Sequence, residues 1–274
     1  MEDLWSIEIV NSRASRGNFK FAIFDFDGTI SLIREGWQQI MIPYFTGELA
    51  ACPGVGDMTR EAIAEEARDF IYMNTGKQTI YQCIELAERV RKLGGNPMEP
   101  LEYKAEYHLR LSLRIAGRIA ELEQNPYTAV NHAVPGSFEF LRALHDRGVI
   151  MYLASGTDEK YVFREAALLG VDSFFAGIYG AQDDYTSFSK KMVIDRIIRE
   201  NKLSGSELVG FGDGYVEIEN IKSAGGFACA VATDEVRRSG VDQWKRNRLK
   251  DSGADIVIPD FSQTPRLMDY LFEE

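Results

Sequence analysis

Phe19-Lys20-Phe21-Ala22-Ile23-Phe24-Asp25-Phe26-Asp27-Gly28-Thr29 is the stretch on which the reading of this chain turns. An apolar, aromatic-rich run stops abruptly at two aspartates and a glycine. Such a run reads as a buried strand whose C-terminal end delivers carboxylates into a loop. Side chains alternate along a strand, so Asp25 and Asp27 share a face if the strand continues. Two carboxylates that close repel unless one is protonated or a cation lies between them, and hard oxygen donors suit Mg²⁺. The same letters also read as a plain strand-to-turn junction, because Asp-Gly is a strong turn signal.

Similar apolar runs recur further on, at residues 148–154, 173–180, 207–212, 226–231 and 254–259. Helical patterns lie between them, at 137–147, 159–169, 191–201 and 216–224. Strands alternating with helices of this length predict βαβ units and an α/β fold with a Rossmann-like, mostly parallel sheet. Ligands of such sheets gather at the carboxyl ends of the strands. Residues 34–130 differ: they hold no convincing strand but four amphipathic patterns, at 36–49, 58–73, 77–93 and 99–124, punctuated by Gly and Pro. In the fourth, Leu109, Leu113, Ala116 and Ala120 predict an apolar stripe suited to a bundle. The expected organisation is therefore an α/β core of residues 1–33 plus 131–274, with an all-helical insert at 34–130.

With 31 Lys and Arg against 42 Asp and Glu in 274 residues, the formal charge is −11. That argues against nucleic acid, whose binding rests on Lys and Arg neutralising phosphates. No apolar run approaches the roughly 18 residues needed to cross a bilayer, and no secretory leader is visible, so no membrane association is expected. Cys52, Cys83 and Cys229 have neither CxxC nor zinc spacing and read as reduced thiols. The expected location is the cytoplasm. His108, His132 and His145 have no partners at metal spacing and read as structural or exposed.

Three further segments carry chemistry-bearing residues. Asp213, in Gly212-Asp213-Gly214, again ends an apolar strand, and Glu217 falls about one helical turn later. Ser155-Gly156-Thr157 joins a strand to a helix, where free N–H groups and a hydroxyl hold an anion or simply cap the helix. Lys190 and Lys191 open a helix, where the dipole disfavours a cation, a mild conflict that suggests an anionic partner. Asp25-Phe26-Asp27-Gly28-Thr29, Ser155, Lys190 and Gly212-Asp213 with Glu217, in this order on successive strands, resemble the four-motif signature of the haloacid dehalogenase (HAD) superfamily. The helical insert looks like that family's C1-type cap, placed between the first two motifs.

The resemblance implies a Mg²⁺-dependent phosphatase acting on a small phosphorylated metabolite through an aspartyl-phosphate. It makes Asp25 the nucleophile and Asp27 the general acid and base. Asp25, the Asp27 backbone carbonyl and Asp213 would hold Mg²⁺, and Glu217, a second and longer acid, would join the metal site by binding a metal water or by standing just behind the ligands. Gly28, Thr29, Ser155 and Gly156 would line the phosphoryl group, and Lys190 would neutralise Asp25 and the group in transfer. Lys190 is preferred over Lys191 because Val193 and Ile194 then follow at helical spacing. A sugar-phosphate phosphomutase uses the same two aspartates, and a non-catalytic HAD-like binding protein is the third reading. Arg34, Trp37, Gln38 and Tyr44 follow the first motif closely enough to overlook a site. Arg110, Arg114 and Arg118 form either a basic stripe toward a substrate or, with Glu106 and Glu121 beside them, a solvated ion-pair face. Oligomeric state is not legible.

Overall fold

A computed structural model describes residues 6–185, 189–202 and 204–272. The chain separates into two compact units, one built from the residues up to Glu35 and from Arg118 onward, the other from Gly36–Gly117. The second junction falls inside one uninterrupted helix, where periodicity gives no boundary signal.

In the first unit, seven strands of the described residues form one sheet: β1 (Glu8–Ile9), β2 (Phe21–Phe24), β3 (Ile150–Asp158), β4 (Phe175–Ala181), β5 (Leu208–Gly212), β6 (Phe227–Val231) and β7 (Ile256–Ile258). Their order across the sheet is β1-β7-β6-β5-β2-β3-β4. Every pairing is parallel except β1 with β7. Strands β2, β5, β6 and β7 are buried at every residue, which is why they read as unbroken apolar runs rather than alternating ones. On one face, Phe24 of β2 and Phe211 of β5 are in register and stack at 4.6 Å. Phe140 stacks on Phe261 at 4.8 Å beside them, an aromatic core that fixes β2 and β5 against each other. Strand β1 was not legible in the sequence, because two residues carry no period; its pairing to β7 creates it.

Helices α1 (Gln38–Ala50), α2 (Arg60–Met73), α3 (Thr79–Lys92) and α4 (Pro100–Gln124) cover the insert, as the punctuation predicts. Phe45 and Phe70 stack at 5.8 Å in the core of the second unit. The expected α4 stripe is wrong. Leu109 is 58% exposed and Leu113 73%, whereas Tyr103, Tyr107, Leu111 and Ile115 are buried. The buried line lies two residues, or about 200°, around the helix from the expected one. Two tyrosine rings bring more apolar surface than a stripe completed by alanines, and their hydroxyls disguised it.

Helices α5 (Ser137–Asp146), α6 (Glu159–Leu169), α7 (Lys190–Asn201), α8 (Tyr215–Ser223), α9 (Gln243–Asp251) and α10 (Thr264–Phe272) belong to the first unit. No helix of the described residues is long and apolar enough to cross a membrane.

Candidate active site

Three neighbouring strands, β5, β2 and β3, bring their carboxyl ends together with β2 in the middle. Asp25 follows β2 directly, and its N–H still donates to the Phe211 carbonyl of β5 at 2.9 Å. Its side chain is buried, with Oδ1 accepting from the Phe26 N–H at 2.8 Å. Beyond it the chain wraps around the Phe26 carbonyl, which takes the N–H groups of Thr29, Ile30 and Ser31. This tight loop sets Gly28 at φ +74°, and a Cβ there would stand 2.2 Å from Asp213 Oδ2. Only glycine lets the Asp213 carboxylate lie against the loop.

Lys190, first residue of α7, is 5% exposed, and its Nζ stands 2.9 Å from Asp25 Oδ1. The helix is capped by Ser189, whose side chain accepts from the Met192 N–H. Lys191 points outward, 57% exposed and paired with Asp195. Tertiary structure thus separates two lysines that adjacent positions left nearly equivalent. Lys190 also makes a very short contact with Glu217 Oε1. Glu217, in the first turn of α8, packs against Gly212, while its Oε2 is buried with no hydrogen-bond partner. The structure therefore brings Glu217 to the lysine that also contacts Asp25.

Asp27 meets a different set of partners. Its Oδ2 accepts from the Thr157 hydroxyl at 2.7 Å, and its Oδ1 has no hydrogen-bond partner, with Arg34 Nε 3.9 Å away. Arg34 is itself buried and grips Glu165 through two nitrogens, at 3.0 and 2.7 Å. A quarter of the Asp27 side chain remains accessible, yet desolvation dominates and lifts its carboxyl to about 7. Arg34 pulls it down; Glu165 and Asp25 push it further up. Asp25 is raised too, first by burial and also by the charge of Asp213, against the lowering influence of Lys190.

Two expectations about the phosphate seat change. Ser155-Gly156-Thr157 is not a plain linker before α6: β3 runs on to Asp158, with these three residues bulging out of register between the Ala154 and Asp158 pairings to β4. Neither Ser155 nor Thr157 caps α6. The cap position is Asp158, whose side chain makes no capping bond to α6, and the Ser155 Oγ instead accepts from the Thr157 N–H. Thr29 is fully buried and its hydroxyl has no hydrogen-bond partner, while the N–H groups of Gly28 and Thr29 are taken by the Ser31 and Phe26 carbonyls.

Sequence reasoning missed Glu165, Glu235 and Lys245. Lys245 Nζ donates to Asp213 Oδ2 at 2.7 Å and makes a short contact with Glu235 Oε1. Burial lowers the Lys245 ammonium, but Asp213 and Glu235 more than offset it and hold it protonated. Nothing marks Glu235 or Lys245 in a stretch crowded with mixed charges, and Glu165 sits in an ordinary helical pattern. Of the α4 arginines, Arg110 pairs with Glu106 as expected of an ion-pair face, whereas Arg118 is partly buried and pairs with Glu35 and the carbonyls of Leu32, Ile33 and Glu35.

No group of three His, Cys, Asp or Glu side chains among the described residues is gathered closely enough to hold a metal alone. Mg²⁺ asks for less, one or two carboxylates with waters and substrate oxygens. Asp25 and Asp213 fit that demand. They are close enough for the charge of one to raise the other, and the cradle at Gly28 seats Asp213 beside the loop after Asp27.

Over residues 19–225 the sequence matches the family of haloacid dehalogenase-like hydrolases. No curated protein matches it. Its fold resembles a predicted phosphoglycolate phosphatase from Haemophilus somnus (TM-score 0.59, 16% identity, 92% of this chain and 98% of that one). It also resembles β-phosphoglucomutase from Clostridium difficile (TM-score 0.60, 14% identity, 93% and 97%). L-2-haloacid dehalogenase from Xanthobacter autotrophicus is similar as well (TM-score 0.50, 14% identity, 91% and 98%). At these identities the likeness speaks for the fold alone. With the family match spanning most of its length, and its sheet gathering acids and a buried lysine at the carboxyl ends, the chain belongs to the haloacid dehalogenase-like hydrolases.

Proposed function

We propose that this chain is a Mg²⁺-dependent phosphatase of a small phosphorylated metabolite. The observation that carries the reading is the buried contact of Lys190 with Asp25, beside a second aspartate whose carboxyl is lifted to about 7. The Phe26 N–H and Lys190 engage Asp25 Oδ1, so Oδ2 is the oxygen that attacks phosphorus. As the Asp25–phosphorus bond forms and the bond to the leaving oxygen breaks, Asp27 gives that oxygen its proton. Asp27 then takes a proton from water. The water oxygen attacks the aspartyl-phosphate, releasing orthophosphate and restoring Asp25. Lys190 offsets the charge on Asp25 and on the transferring group, and Glu217 holds Lys190 in place. The Ser155 hydroxyl and Gly156 N–H are assigned to the phosphoryl oxygens, and Thr157 orients Asp27.

Asp25, the Asp27 carbonyl and Asp213 would hold the cation, which when bound supplies positive charge to the phosphoryl oxygens. Residues 34–130 are read as a C1-type cap that selects the substrate. Phosphomutase chemistry would use the same pair of aspartates, and a similar fold is found in a phosphoglucomutase. Product identity separates the readings. Wild type should release orthophosphate from p-nitrophenyl phosphate and from members of a phosphometabolite panel, and lose that activity on chelation of Mg²⁺. Absence of Mg²⁺-dependent release above a D25N control would overturn the enzyme reading; an isomeric phosphate in place of orthophosphate would make it a mutase.

A further inference from the structure

Asp213 is held by a charged pair that no motif announces. Lys245, in the first turn of α9, has 11% of its side chain exposed, against 14% for Asp213 and 15% for Glu235. Its Nζ lies 2.7 Å from Asp213 Oδ2 and in short contact with Glu235 Oε1. Both acids close on the same loop: a Cβ built on Gly28 would meet Asp213 Oδ2 at 2.2 Å and Glu235 Oε1 at 3.1 Å. Lysine and loop thus occupy the Oδ2 side of Asp213, leaving Oδ1 for another ligand. The three side chains together carry one negative charge. Asp213 with Glu235 alone would carry two.

We propose that Lys245 and Glu235 are positioning residues that clamp Asp213 and set, with opposite signs, the affinity of the Asp25–Asp213 site for a divalent cation. The inference rests on the cation reading given above. Lys245 holds Asp213 in place through Oδ2 while its positive charge opposes a dication bound beside it. Glu235 restores part of the attraction and keeps the lysine in place. A lysine is the suitable clamp, because its compact ammonium reaches two carboxylates at once without competing for the oxygen it does not touch.

The test is titration of Mn²⁺ alone, without substrate, followed by loss of the free-ion EPR signal, for wild type, K245M, K245R and E235Q. Removing the positive charge in K245M should tighten binding about tenfold, and removing the negative charge in E235Q should weaken it about tenfold, the scale of one charge acting on a dication through water-like screening. K245R keeps the charge and should bind like wild type. Should K245M fail to fold, judged by its thermal melt, weakened binding by E235Q beside unchanged K245R still carries the proposal. Equal affinity in all the proteins, or K245M and E235Q both weakened, overturns it, since a purely structural pair would loosen Asp213 in either case. Silence of wild type and every variant removes the cation reading and the proposal together; saturable binding with equal constants removes the proposal alone.

Discussion

At the scale of single residues, the site is a matter of which charges are forced into company. Lys190 sits between two buried carboxylates, so losing it leaves Asp25 and Glu217 uncompensated. K190M should lower phosphate release about a thousandfold and destabilise the fold by about 3–5 kcal/mol, the cost of breaking a buried pair. K191M removes a pair exposed on both sides and should change stability by less than about 0.5 kcal/mol. Parallel assays and urea melts of the two variants check this, and equal effects would undo the assignment. The aspartates and their order were legible in the sequence, because DFDGT and GDG are local patterns. The partners were not. Arg34 and Glu165 are 131 residues apart, and Asp213 and Lys245 are 32 apart, separations over which periodicity says nothing.

At the scale of elements, hydrophobic patterning placed α1–α8 and β2–β7 to within a few residues, and missed α9 and α10 near the C-terminal end. It failed where apolar character was disguised or absent. Helix α4 hides its buried face behind tyrosines, and β1 is too short to have a period. The α4 correction has a direct consequence. L111A should cost about 2–4 kcal/mol, as truncation of a buried leucine does, while L109A should cost less than about 0.5 kcal/mol. Chemical denaturation of both decides it, and the reverse ranking would restore the stripe expected from sequence. The β3 extension through Ser155-Gly156-Thr157 is a different failure. Glycine and small hydroxyls look like a loop, yet they form a bulge inside the strand, which pairs with β4 again at Asp158.

At the scale of the whole chain, the first unit is closed by bonds between its two ends. Glu8 of β1 accepts from Arg246 Nη2 and Lys250 Nζ, each at 2.6 Å, across more than 230 residues of sequence. The side-chain bond from Arg246 leads in holding the Glu8 carboxyl below the ordinary glutamate range, with burial opposing it. A depressed carboxyl stabilises the fold above its unfolded value and loses that contribution as pH falls through the folded one. E8Q should therefore cost about 0.5–1 kcal/mol at neutral pH, since the pair is partly solvated, and nothing once wild type is itself protonated. Urea melts at pH 7, 4 and 3 measure the gap, which must narrow as pH falls; a constant gap would mean the clasp is not ionic.

The sequence alone determined the α/β class, the parallel sheet, the run of helices in the insert and the placing of Asp25 and Asp213 at strand ends, because these rest on runs and spacings of neighbouring residues. The net charge of −11 argued against long polyanions for the same compositional reason. Tertiary structure decided what each acid faces. It turned Lys190 inward and Lys191 outward, carried Glu217 to Lys190, sealed the Thr29 hydroxyl and clamped Asp213 with Lys245 and Glu235. Those outcomes depend on which helix packs beside which strand end, and a buried charge takes whatever counter-charge that packing brings within reach.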